Sequence, residues 1–200
     1  IEVKMSTGRC VLISGAGPVG SVTALRLSQL GVPVVLFDEL LETPFVHRAA
    51  TTHSSTLDLL EKIGIAEKVI SQGLIARYFQ YRHRSTNEVF AEFDFARLAD
   101  ESDHPYAIQL EQHKTVKIAL DAAQKYSDFS LYRGHKVIEV INSDQCVEVV
   151  TETLEGHKER WRGDYMIGCD GGRSLARKSQ KISFPGFTWE EKFIIVASYF

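Results

Sequence analysis

The chain has 200 residues, enough to bury one sizeable core or one and a half small domains. Its apolar share of 44% is ordinary, and a net charge of −3 leaves no basic footprint, so nucleic acid is not an expected partner. No apolar run approaches the ~20 residues of a membrane span, and the first residues lack a signal-peptide layout. Three cysteines, Cys10, Cys146 and Cys169, are scattered without CxxC spacing, which points to a reducing cytoplasm and to small core residues. The seven histidines form no HxxxH or HExxH pattern, so no metal site is expected.

Cys10 to Ser14 reads as a short buried strand, and Pro18 to Leu30 as a helix with apolar positions Val19, Val22, Leu25, Leu27 and Leu30. Gly31 is its stop, and Val34 to Phe37 is a second buried strand ending at Asp38. Strand, loop, helix and strand in about 30 residues make a βαβ unit with parallel strands. Ser55 to Ile63 reads as a helix with Ser55 as cap and Asp58 at its third position, and Ala66 to Ser71 as a second short helix. At Arg77 the period changes to alternation. "RYFQYRHR" and "VFAEFDF", separated by the turn-like "STNE", predict a hairpin. Leu110 to Tyr126 returns to helix, "KVIEVI" and "CVEVVTE" predict another hairpin, and "HKERWRGDYMIGCD" one strand ending at Asp170. A helix is expected to start at Ser174, and "KFIIVASYF" reads as a final strand. That apolar strand would need covering, so the natural protein is expected to continue beyond Phe200.

The stretch "VLISGAGPVG" carries the first chemical signal. Gly15 permits the tight turn out of the strand, Gly17 lets a pyrophosphate approach the backbone, and Gly20 lets helix and strand pack closely. Pro18 suits the first helical turn, where the free amides and the helix dipole face the phosphates. Asp38 ends the second strand about 20 residues on, where a carboxylate can accept from a ribose 2′-OH. With Val19 of the same helical turn and Glu39 beside the acid, these residues make the expected dinucleotide set. They do not separate FAD from NAD.

Later motifs do. "GAGPVG" with Asp38, "HRAATTHSSTLDLLEKIGI", "YAIQLEQHKTVKIAL" and "DYMIGCDGGRSLARK" follow one another along nearly the whole chain. In this order they resemble the FAD-dependent aromatic hydroxylases, single-component flavoprotein monooxygenases related to p-hydroxybenzoate and 3-(3-hydroxyphenyl)propionate hydroxylases. Asp170, Gly171, Ser174 and Arg177 match the family's DGxxSxxR pattern, which the resemblance places against the flavin's linker and the nicotinamide nucleotide. A carboxylate at Asp170 can accept from ribityl or ribose hydroxyls, and Arg177 is expected to orient the loop by pairing with an acid. Arg48 matches the family arginine near the pyrophosphate and the nicotinamide, and a guanidinium fork suits phosphate. Gln109, read as the start of a helix after a short strand, matches the family glutamine on the flavin's linker. Leu110 and Glu111 follow it where the family often has proline and a small residue. His53 reads as a helix cap rather than a flavin neighbour.

The resemblance implies an α/β fold: a Rossmann-like FAD-binding domain with a parallel sheet, interleaved with the start of a β-rich substrate domain. Residues 1–74 and 107–181 are expected to bind FAD, 75–106 to be an excursion into the substrate sheet, and 182–200 to begin that domain. It also implies a reaction. NADH or NADPH reduces FAD, the reduced flavin activates O2, and one oxygen atom enters a small aromatic, usually phenolic, substrate. No protein nucleophile is needed, in keeping with the lack of a GxSxG pattern. The resemblance leaves a homodimer open. Two other readings stand beside it: another flavoenzyme of the superfamily, a halogenase or reductase, and a non-catalytic nucleotide-binding fragment.

Overall fold

The computed structural model describes residues 3–5, 10–45 and 48–192. The final predicted strand, apart from Lys192, lies outside the described residues. Strand β1 (Val3–Met5) is followed by β2 (Val11–Ser14), helix α1 (Pro18–Gln29) and β3 (Val34–Asp38). Short β4 (Thr51–Thr52) precedes helices α2 (Ser54–Lys62) and α3 (Ala66–Gln72). Strands β5 (Leu74–Ala76), β6 (Tyr78–Arg82) and β7 (Val89–Asp94) come next. Then β8 (Ala107–Gln109) leads into α4 (Gln112–Ala123). Strands β9 (Phe129–Arg133), β10 (Lys136–Asn142), β11 (Val147–Glu152), β12 (Lys158–Gly163) and β13 (Tyr165–Gly168) run to the short helix α5 (Leu175–Ser179). The chain divides into two compact units, Ile1–Phe45 with Ala119–Phe200, and Val46–Ile118.

The first unit is built on a parallel sheet of order β13-β2-β3-β9. β2 and the first four residues of β3 are buried throughout, which is why both read as unbroken apolar runs. Leu12, Val35 and Phe37 join Val137, Val147, Val149 and Trp161 of a second sheet, β1-β12-β11-β10, in one core. Phe37 and Trp161 meet edge-on with centroids 5.0 Å apart. The Trp161 indole N–H donates to Thr151 Oγ1 at 2.9 Å, so the ring is buried without a stranded donor. Helix α1 contacts β2 and β3. It buries Gly20, Ser21, Ala24, Leu25 and Ser28, whereas Val19 and Leu30 of the expected apolar set are exposed. The approach is closest at Gly20, where a Cβ would meet the Gly15 carbonyl oxygen, while Leu25 further along fills the space against the sheet.

Two expectations need correction here. "HKERWRGDYMIGCD" is two strands, not one: β12 pairs antiparallel with β11, and β13 pairs parallel with β2. The chain changes sheets at Gly163 and Asp164. A Cβ on Gly163 would stand 2.8 Å from the Leu12 side chain, and Asp164 Oδ2 accepts from the Cys10 N–H at 2.6 Å. Strand β9 was not foreseen. "FSLYR" sits between helix and turn without an alternating or continuous apolar pattern.

The second unit holds an antiparallel sheet of order β4-β8-β5, helices α2 and α3, and the predicted hairpin β6–β7. One face of the hairpin is aromatic: Phe79, Tyr81, Phe90 and Phe93 touch one another and each is at least half exposed. The other face is polar, with Gln80 donating to Glu92 and Arg82 to Gln80. Helix α2 starts one residue earlier than expected, at Ser54, with His53 at the cap position and no side chain capping it. Asp58 does not close a capping box. It accepts from Ser102 Oγ at 3.0 Å and lies 2.8 Å from Nδ1 of the buried His104, which clasps the loop before β8 to the helix. The His104 hydrogen bond holds the Asp58 carboxyl below its ordinary range. A carboxylate lowered on folding adds stability above its unfolded pKa and loses it as pH falls through the folded one. Asp58→Asn should therefore destabilise the protein at about pH 6, and the difference from the wild type should shrink as pH falls through the lowered folded-state pKa, checked by urea unfolding.

Candidate cofactor site

The carboxyl ends of parallel strands are where ligands of such sheets bind, and nearly all predicted site residues of the first unit gather there. Gly15 leaves β2 with φ +98, a left-handed conformation that glycine adopts without strain. Its N–H donates to the Phe37 carbonyl at 2.7 Å, and the Cys169 N–H donates to the Ser14 carbonyl at 2.8 Å. A Cβ on Gly20 would collide with the Gly15 carbonyl oxygen. Gly17 is different. It is the N-cap of α1, no side chain caps that end, and nothing lies within 4 Å of where its Cβ would be. Pro18 follows as the first helical residue and Val19 is exposed beside it. An uncapped helix start with open space above it is a place for phosphate.

Asp38 ends β3, and both its oxygens are engaged. Oδ2 accepts from the Ala16 N–H at 2.7 Å and Oδ1 from the Leu40 N–H at 2.9 Å. The acid thus braces the glycine loop itself, a duty the sequence did not announce. Carboxylate oxygens carry further lone pairs for a ribose hydroxyl. Glu39 is exposed, 3.5 Å from the Lys136 ammonium, and forms a surface pair.

Asp170 follows β13. Its Oδ2 accepts from the Leu175 and Ala176 N–H groups at 2.7 and 3.1 Å and so caps α5. Its Oδ1 is buried with no hydrogen-bond partner among the described residues. Such an oxygen is costly unless something donates to it, and a ligand hydroxyl is a donor of the right kind. Gly171 and Gly172 would meet nothing within 4 Å with a Cβ added. Ser174, at the cap position, accepts from the Arg177 N–H at 2.9 Å. Contrary to the expectation from the sequence, Arg177 pairs with no acid among the described residues. It donates to the Gly172 carbonyl at 3.0 Å and its guanidinium lies 4.4 Å from the Phe184 ring centre. Burial, with the Asp170 charge adding to it, pushes the Cys169 thiol up, so it stays protonated and unreactive. Asp170→Ala should unfasten α5, seen as faster hydrogen exchange at Leu175 and Ala176.

Arg48 and Gln109 belong to the second unit. Arg48 is exposed just before β4. Gln109 is not at a helix start: it ends β8, paired with Thr51 and Leu74, and its Oε1 accepts from Thr51 Oγ1 at 3.0 Å. The glutamine at the start of α4 is Gln112. The helix starts at Gln112, two residues beyond the expected Leu110, and the polar pair Glu111-Gln112 after the apolar Ala107, Ile108 and Leu110 is the mark of that start. A half-open cavity of about 430 Å³ in the first unit is walled by Val140, Met166, Ala176, Arg177 and Ile182 among others. Ser174 and Arg177 of the predicted set line it, whereas none of the glycine-loop residues or Asp38 does.

The "FAD binding domain" family model matches residues 9–197. The chain belongs to this family. The orphaned Asp170 oxygen and the open Gly17 helix start fit the dinucleotide that the family name states. Para-nitrophenol 4-monooxygenase of Pseudomonas sp. (strain WBC-3) is 27% identical over 190 residues, 95% of this chain and 47% of that protein. The 6-hydroxy-3-succinoylpyridine 3-monooxygenase of Pseudomonas putida is 29% identical over 199 residues, 98% of this chain and 50% of that protein. The crystal structure of p-nitrophenol 4-monooxygenase from Pseudomonas putida DLL-E4 superposes with a TM-score of 0.85 at 29% identity, covering 91% of this chain and 46% of that one. The chain thus spans about half the length of the curated relatives it matches. Among the described residues no helix is long and apolar enough to cross a membrane.

Proposed function

We propose that this chain forms the cofactor-binding part of an FAD- and NAD(P)H-dependent monooxygenase that hydroxylates a phenolic or similarly electron-rich ring. The observation that carries the reading is the uncapped, open start of α1 at Gly17 in a chain of the FAD binding domain family. Relatives named for nitrophenol and hydroxypyridine oxidation support the substrate class. Bound FAD would supply hydride acceptance from the nicotinamide and activation of O2. The chain's own part is to hold the cofactor: the α1 amides toward its phosphates, Asp38 toward its ribose, and Asp170 Oδ1 as an acceptor for a hydroxyl.

Residues 75–106 and 182–200 are assigned in this reading to the substrate domain, which the exposed aromatic face of β6–β7 supports. A cytoplasmic location belongs to the same reading. The test is NAD(P)H oxidation by the full polypeptide loaded with FAD. Stimulation by a phenol, with oxygenated product, is the expected result. Halide dependence with an external reductase would identify a halogenase instead, and no flavin retention would leave a nucleotide-binding module.

Two assignments from the second unit have their own tests. Arg48→Ala should slow flavin reduction by about tenfold or more with an unchanged melting temperature, because the side chain is exposed. An unaltered reduction rate removes Arg48 from the site. Of the two glutamines, Gln112 has the helix-start position that the resemblance describes. Gln112→Ala is expected to weaken flavin retention, and Gln109→Ala to leave it unchanged; the reverse result restores Gln109.

A further inference from the structure

We infer that Arg133 is a positioning residue for the adenosine end of the cofactor site, acting through Asp38. This rests on the dinucleotide reading above. Arg133 is the last residue of β9 and stands in register with Asp38, the last residue of β3, at the carboxyl edge of the parallel sheet. Its Nη2 donates to Thr43 Oγ1 at 2.8 Å, which fixes the guanidinium plane. Its Nη1 lies 3.8 Å from Asp38 Oδ1. Both side chains are largely covered, at 20% and 14% exposure, so the pair is screened less than a surface one.

The surrounding backbone points the same way. The Gly134 N–H donates to the Leu40 carbonyl at 3.3 Å, and the His135 N–H to the Asp38 carbonyl at 2.9 Å. The loops after β3 and β9 are therefore stitched together, with Arg133 and Thr43 as the side-chain tie. Asp38 in turn holds the glycine loop through the Ala16 N–H. Arg133 thus fixes the carboxylate that shapes the loop and faces the ribose. A rigid fork performs this better than a flexible ammonium, so lysine should rescue only in part.

A cofactor's adenosine half can be probed apart from its flavin half. ADP carries adenosine and both phosphates, and FMN carries the isoalloxazine and ribityl chain. Apoprotein of the full polypeptide is titrated with each by calorimetry. Arg133→Met is expected to weaken ADP about tenfold and FMN less than twofold, with an unchanged apoprotein melting temperature. Arg133→Lys should fall between, and Thr43→Val should show a smaller loss of the same kind. In an Asp38→Ala background Arg133→Met should add nothing, because its partner is gone. ADP affinity equal to wild type in Arg133→Met overturns the inference. So does an equal loss for ADP and FMN, or a full additional loss in the Asp38→Ala background. Failure of ADP to bind even the wild type overturns the dinucleotide reading, and this inference with it.

Discussion

Replacing Gly17 with valine should empty the protein of flavin and shift its melting temperature by no more than about 5 °C. The backbone at Gly17 is extended, φ −73 and ψ −168, a conformation valine adopts readily. Apart from its two chain neighbours, nothing among the described residues lies within 4 Å of the new Cβ, so the side chain displaces nothing in the fold. The cost to the protein is a poorer helix cap, about 1 kcal/mol. The cost to a ligand is much larger, because the branched side chain fills the space through which phosphates reach the α1 amides. A loss of flavin affinity of ~100-fold or more is expected, measured by the ratio of flavin to protein absorbance after gel filtration. Normal flavin content in this variant would mean that the phosphates do not pass over Gly17.

The same substitution three residues on should act on the fold instead. A Cβ at Gly20 runs into the Gly15 carbonyl oxygen and comes within 3.3 Å of the Cys169 Cβ. Neither the turn nor the helix can retreat, since the Gly15 N–H is tied to Phe37 and α1 is packed on the sheet by its small residues. Gly20→Val should cost at least the roughly 3 kcal/mol upper end of core overpacking, a large part of the about 5–15 kcal/mol that keeps a domain folded. Urea unfolding should show a lowered midpoint, or no folded baseline. Flavin loss without destabilisation would show instead that Gly20 serves the ligand.

The two variants mark where the sequence was informative. The βαβ unit was legible because β2 and β3 are buried on both faces and bracket a helix with glycine before it and Gly31 after it. The hairpin β6–β7 was legible from its alternation, and the glycine loop from its spacing. Strand β9 was not, because its membership depends on β3 alongside it and not on its own pattern. The break between β12 and β13 was hidden for the same kind of reason: only the partners β11 and β2 reveal that one continuous stretch serves two sheets. Asp38 and Asp170 were picked out as ligand acceptors. Their hold on Ala16, Leu40, Leu175 and Ala176 needed coordinates, since a carboxylate's backbone partners leave no mark in composition.

The order of strands β13-β2-β3-β9 also bears on how the protein comes off the ribosome. The amide of Cys10 is bonded to a side chain 154 residues later, and β2 completes its pairing only with β13. A growing chain therefore presents β2 and β3, and then the whole of the second unit, before the first sheet can close. Long-range parallel pairing of this kind is slow, and unpaired apolar strands are exposed while it waits. The turn at Gly15 is pressed against Cys169, so its final shape waits for a residue made far later in the chain. Flavin is thus captured only after β13 has paired with β2, and its supply should change how long the folded site survives more than how fast it forms.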